Sequence, residues 1–169
     1  EKDPTNPQSV YGRTKLEGEQ AIKKSGCLYL IIRTAWLYSG YGHNFVKTIS
    51  RLASERDELN VVNDQWGTPT YAGDLAEAII RIMERDDLPE LEGVYHFTNE
   101  GACTWYDFAK EIVTLAGANC KVNPVTTEEY PSKVKRPAYS VLDKTKIKEA
   151  FDLEIRDWRE ALKSCMATF

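Results

Sequence analysis

The sequence is poor in the residues that build metal centres. It has two histidines, His43 and His96, far apart, and its four cysteines, Cys27, Cys103, Cys120 and Cys165, show no C-x-x-C spacing. A structural zinc site needs closely spaced ligand pairs, so reduced, partly buried thiols are the expectation. No apolar run approaches the roughly 18 residues that cross a bilayer. The opening EKDPTNPQ is unlike a secretory h-region. Basic charge is not in excess either: 22 Lys and Arg against 26 Asp and Glu give a formal net charge of -4. With no basic run, neither nucleic acid nor an anionic membrane surface is an expected partner, and a cytoplasmic location is. One absence weighs most: no G-x-G-x-x-G or G-x-x-G-x-x-G follows a strand, and SGYGHN offers only Gly40-x-Gly42, which reads as a turn.

What is present is an alternation of helix and strand over 169 residues, enough for one ordinary domain with a proper core. A helix start near Ser9 leads into LYLIIR (28–33), an apolar run too short for a helix and suited to a strand covered on both faces. Phe45, Ile49, Leu52 and Ala53 recur at helical spacing, and LNVVN (59–63) reads as a second strand. Beyond the loop DQWGTPT, Leu75, Ile79, Ile82 and Met83 form one face of an amphipathic helix, with Thr70 expected as its N-cap. VYHFTN is a further strand, and Thr104 with Asp107 resembles a capping box ahead of the apolar face Trp105, Phe108, Ala109, Ile112. VNPVTT, the polar stretch EEYPSKVKRPAYS and helices near 144–151 and 156–165 complete the chain. This order implies βαβ units and a mostly parallel sheet, an α/β fold.

Tyr11 and Lys15 stand four positions apart at the start of the first helix, on one face and about 6 Å apart along its axis. A phenol near an ammonium can act as a general acid, because the positive charge favours the phenolate. Spacing alone also fits an ordinary helix surface, with an aromatic ring beside an aliphatic stem. Trp36 follows LYLIIR at the carboxyl end of a strand, where open α/β sheets bind their ligands. Arg33 reads as a structural ion-pair or backbone-binding residue rather than a substrate ligand. Asn44 reads equally as a helix N-cap and as a phosphate contact. Asp64 and Gln65 have no evident structural duty. Arg136 reads as an anion ligand or as a loop charge beside Lys133 and Lys135.

YGRTKLEGE resembles the Y-x-x-x-K segment of the extended short-chain dehydrogenases/reductases, and RTAWLYSGYGHNF, NDQWGTPT and RPAYSVLD continue the match in order across nearly the whole chain. Y-x-x-x-K is common to that superfamily. R-T-x-W followed by N-F and D-Q-x-G-x-P-T is particular to its dTDP-4-dehydrorhamnose reductases. The resemblance implies a later part of a Rossmann-type domain interleaved with a small substrate-binding region. It implies NADPH or NADH as cofactor and a nucleotide sugar as substrate, and it leaves a homodimer open. Tyr11 would give a proton to the sugar C4 oxygen, and Lys15 would hold the nicotinamide ribose. The backbone at Thr34 and Ala35 would approach the nicotinamide. Trp36 would pack on the deoxysugar, with Asn44, Asp64, Gln65 and Arg136 on the substrate side. The family begins with a Gly-rich cofactor half that these residues lack, and the chain has no initiator Met. The expectation is therefore a C-terminal portion, inactive and weak for NADPH by itself. Two alternatives stand beside it: another nucleotide-sugar reductase or epimerase, and a non-catalytic binding protein of the same fold.

Overall fold

The computed structural model describes residues 1–130 and 136–168. Ser9 accepts a hydrogen bond from the Gly12 N–H and starts α1 (Val10–Lys24), which buries none of its own residues. β1 (Leu30–Arg33) and the two-residue β2 (Leu37–Tyr38) follow, then α2 (Phe45–Glu55), capped by the side-chain Oδ1 of Asn44, which accepts from the Lys47 N–H. β3 (Glu58–Val62) leads to two more two-residue strands, β4 (Trp66–Gly67) and β5 (Thr70–Tyr71), and into α3 (Ala72–Met83). Next come β6 (Gly93–His96), β7 (Cys103–Thr104) and α4 (Trp105–Leu115). β8 (Lys121–Val125), α5 (Thr145–Phe151) and α6 (Trp158–Met166) close the order. The capping box of α4 is reciprocal, with Thr104 bound to the Asp107 N–H and Asp107 to the Thr104 N–H.

The fold is α/β, as expected, but among the described residues the strands form four pairs instead of one sheet. β1 pairs with β6, β2 with β5 and β3 with β8, all parallel, while β4 pairs with β7 antiparallel. Two cores result. The larger joins α2, β3, α4 and α6 through Val46, Ile49, Leu59, Phe108, Ile112, Trp158 and Leu162. The smaller joins α3, β6 and α5 through Ala78, Ile82, Tyr95, Phe97, Ile147 and Phe151.

Two expectations fail around α3. Thr70 is not its cap: Tyr71 holds that position without a side-chain bond, and Thr70 is fully buried in β5. The buried face is also different. Ala78 and Ile82 pack inward, while Ile79 is 37% exposed and Met83 70% exposed. Helical periodicity finds an apolar stripe, but α3 meets β6 and α5 through only one edge of it.

Candidate active site

Tyr11, Lys15 and Glu19 succeed one another at four-residue steps along α1, so they share one stripe of the helix. Lys15 Nζ lies 5.4 Å from the Tyr11 ring centroid, over its face, and Tyr11 is 72% exposed. The same stripe is tied to the sheet. Glu19 accepts two hydrogen bonds of 2.7 Å from Arg33, at the last residue of β1. These bonds hold the Glu19 carboxyl below the usual carboxylate range, outweighing the burial that opposes them, and raise Arg33 in turn. Arg33 is thus the structural ion-pair partner that its sequence context suggested. Its bidentate contact anchors the Tyr11–Lys15 helix to the strand that leads into the turn Thr34, Ala35 and Trp36.

The turn after β1 is unusual. Trp36 has φ +49°, a left-handed backbone that costs a bulky residue about 1–2 kcal/mol. Its indole stacks on Trp105 with centroids 3.5 Å apart and planes 11° from parallel. A Cβ added to Gly67 would lie 2.4 Å from Trp36 Cε2, so only glycine admits the ring there. Thr34 is exposed, and its hydroxyl donates to Thr70 Oγ1 at 3.2 Å. The Ala35 carbonyl accepts from Thr70 Oγ1 at 2.6 Å.

A cleft of about 600 Å³ opens between α2, β3, Thr127, Tyr130 and Arg136. Its walls include Phe45, Leu52 and Trp105, with Arg56, Gln65, Tyr130 and Arg136 supplying polar groups. Gln65 is only 7% exposed. Its Nε2 donates to Thr127 Oγ1, and its Oε1 is buried without a partner, leaving an acceptor beside the cleft. Arg136 is exposed, with Cζ 5.9 Å from the Trp105 ring, so the guanidinium sits at the aromatic end. Apolar walls with a few convergent polar groups are what a small-molecule site requires. Lys133 and Lys135 lie outside the described residues.

Asp64 does have a structural duty, contrary to expectation. It accepts from the Thr127 N–H at 2.8 Å and from Thr127 Oγ1 at 2.6 Å, bonds that hold its carboxyl below the ordinary value. Together Asp64 and Gln65 fasten the wall of the cleft. Asn44 caps α2, and its amide also donates to the Ser39 carbonyl at 2.7 Å. The cleft therefore gathers Gln65 and Arg136, with Asp64 reaching it through Thr127 and Trp36 through Trp105. Tyr11, Lys15 and Asn44 do not line it.

The whole chain, residues 1–169, matches the family model described as the RmlD substrate binding domain. The chain belongs to this family. A dTDP-4-dehydrorhamnose reductase of Aggregatibacter actinomycetemcomitans is 46% identical over 99% of this chain and 60% of its own length. The crystal structure of a dTDP-4-dehydrorhamnose reductase from Clostridium acetobutylicum superposes with a TM-score of 0.91 at 48% identity, covering 99% of this chain and 58% of that one. Another, from Bacillus anthracis in complex with NADP, gives a TM-score of 0.93 at 39% identity, with the same 99% and 58% coverage. The chain thus spans a little under two-thirds of the length of these relatives.

Within this substrate-binding family member, Trp105, Arg56 and Tyr130 are cleft residues that sequence reasoning passed over. Trp105 reads as a core residue from helical periodicity, yet it is only partly buried and bridges Trp36 to the cleft. Its position at the first residue of α4, directly after the Thr104 N-cap, was the available signal. Arg56 and Tyr130 have no local signal. Burial pushes the Cys103 thiol up to about 12 and Cys165 up to about 11, so these two buried thiols are packing groups without nucleophilic character at neutral pH. Among the described residues no His, Cys, Asp and Glu cluster could hold a metal ion.

Proposed function

We propose that this chain is the sugar-binding and proton-donating portion of an NAD(P)H-dependent reductase that converts dTDP-4-dehydro-L-rhamnose to dTDP-L-rhamnose. In this reading a dinucleotide-binding half completes the enzyme, and the location is cytoplasmic, where reduced nicotinamide and nucleotide sugars meet. The observation that carries it is the Lys15 ammonium beside the accessible Tyr11 ring, on a helix stripe pinned through Glu19 and Arg33 to the turn bearing Trp36. The family match over the full chain supports it.

The residues present suit one end of the cofactor. Tyr11, Lys15 and Thr34 are exposed and can meet a nicotinamide ribose, and no glycine-rich turn in the chain offers backbone N–H groups to a pyrophosphate. When bound, NADPH or NADH supplies the hydride that reduces C4. Tyr11 Oη donates its proton to the C4 oxygen as negative charge develops there, and Lys15 orients the phenol and the ribose. Arg136, at the aromatic end of the cleft, takes the diphosphate through paired N–H donors. The apolar walls exclude water from the nucleotide, and the Trp36–Trp105 stack forms the sugar-side wall.

The test is oxidation of NADPH by a polypeptide in which this chain follows a dinucleotide-binding half, with dTDP-linked and UDP-linked 4-ketosugars offered separately. Turnover of the dTDP sugar supports the reading. Turnover of only the UDP sugar moves the protein to another nucleotide-sugar reductase or epimerase, and binding without turnover makes it a non-catalytic relative.

A further inference from the structure

Thr70 opens β5 directly after the stretch that holds Gly67 and Pro69, and it neither caps α3 nor lines the cleft. Its N–H and hydroxyl nonetheless go to one place. The Thr70 N–H donates to the Trp36 carbonyl at 3.1 Å. Its hydroxyl donates to the Ala35 carbonyl at 2.6 Å and accepts from the Thr34 hydroxyl at 3.2 Å. Three successive residues of the turn after β1 are thus bound by one fully buried side chain and its own backbone.

That turn holds a non-glycine residue at positive φ, a conformation that persists only where the surroundings over-determine it. The same four-residue stretch supplies the other constraint, because Gly67 leaves room for the indole where any side chain would collide. Residues 67–70 therefore act as floor and clamp for Trp36, and Trp105 closes its face.

We propose that Thr70 is a positioning residue. Its hydroxyl holds the Thr34–Trp36 turn in the left-handed conformation that keeps the Trp36 indole on Trp105, and so sets the wall that meets the sugar. The last clause rests on the function proposed above; the clamp itself does not. A hydroxyl with one donor and two acceptor lone pairs is needed to accept from Thr34 while donating to Ala35. Valine matches threonine in volume and supplies neither, whereas serine keeps both.

The decisive comparison is Thr70→Val against Thr70→Ser, read first by the exciton signal of the stacked indole pair in circular dichroism. Trp36→Phe and Trp105→Phe assign that signal. Thr70→Val should lose most of it while the helical signal is unchanged, and Thr70→Ser should restore it. In the complete reductase, Thr70→Val should raise KM for the nucleotide sugar about tenfold and leave the affinity for dTDP, which lacks the sugar, within twofold. An unchanged indole signal in Thr70→Val overturns the proposal, as does a loss in Thr70→Ser equal to that in Thr70→Val. Should Thr70→Val not fold, Thr70→Ser decides alone: the stack must survive loss of the methyl group. If the complete protein turns over no dTDP sugar, the function proposed above fails while the spectroscopic arm still judges the clamp.

Discussion

The two sides of the molecule differ in how finished they are. Around the cleft, α2, α4 and α6 close over β3 with an aromatic core of Phe45, Trp105, Phe108 and Trp158 in mutual contact. Around the Tyr11–Lys15 pair, α1 buries nothing, and all four residues of β1 remain only partly covered. The bidentate Glu19–Arg33 contact ties that helix to the strand. Binding requires a shaped, desolvated wall, and the cleft side has one. Proton donation requires an accessible hydroxyl, and the α1 side presents it. The contrast also shows where stability and chemistry separate: the two cores lie beneath the strands, and the residue proposed for the reaction stands on a helix that contributes to neither.

Four substitutions test that separation. Phe108, 1% exposed among four other aromatic rings, should cost about 3–5 kcal/mol as Phe108→Ala in urea unfolding. Under the proposed function, Tyr11→Phe in the complete protein should lower turnover about 10²–10⁴-fold and leave the unfolding midpoint where it was. Normal turnover would remove Tyr11 from the proton-donor role. Glu19→Gln should cost about 1–2 kcal/mol, because Arg33 loses a charged partner. The pH dependence follows the same pair. Glu19 is depressed in the folded state, so its contribution is present above its unfolded value of about 4.3 and is lost as pH falls through the lower folded value. The difference between wild type and Glu19→Gln should therefore shrink in acid titrations of stability. Ile22→Ala, on the 44% exposed side of α1, should change stability by less than about 0.5 kcal/mol. A larger loss would show that α1 packs more tightly than its exposure indicates.

Much of this was legible in local sequence. The start of α1, the capping box of α4, the β-forming run that became β1 and the two C-terminal helices follow from periodicity and caps within a few residues. The Arg33 ion pair was also readable, because a cation at the end of an apolar strand needs a partner. What escaped depends on distant residues. Two-residue strands such as β2 and β5 have no period to detect, so Thr70 looked like a helix cap when its partners lay 34 to 36 residues upstream. Asp64 seemed unemployed because Thr127 binds it across 63 residues. The apolar stripe of α3 was visible, but which edge of it would be covered is a property of β6 and α5. Trp36 was readable as a strand-end aromatic; its stack on Trp105 and its left-handed backbone were not.

The contrast between a finished binding side and an open proton-donor side is tested most directly by calorimetric titration of this chain with dTDP-L-rhamnose and, separately, with NADPH. The account predicts saturable binding of the dTDP sugar, weakened at least tenfold by Arg136→Ala, and NADPH binding at least tenfold weaker than the sugar. Micromolar NADPH binding together with no detectable binding of the dTDP sugar would contradict it.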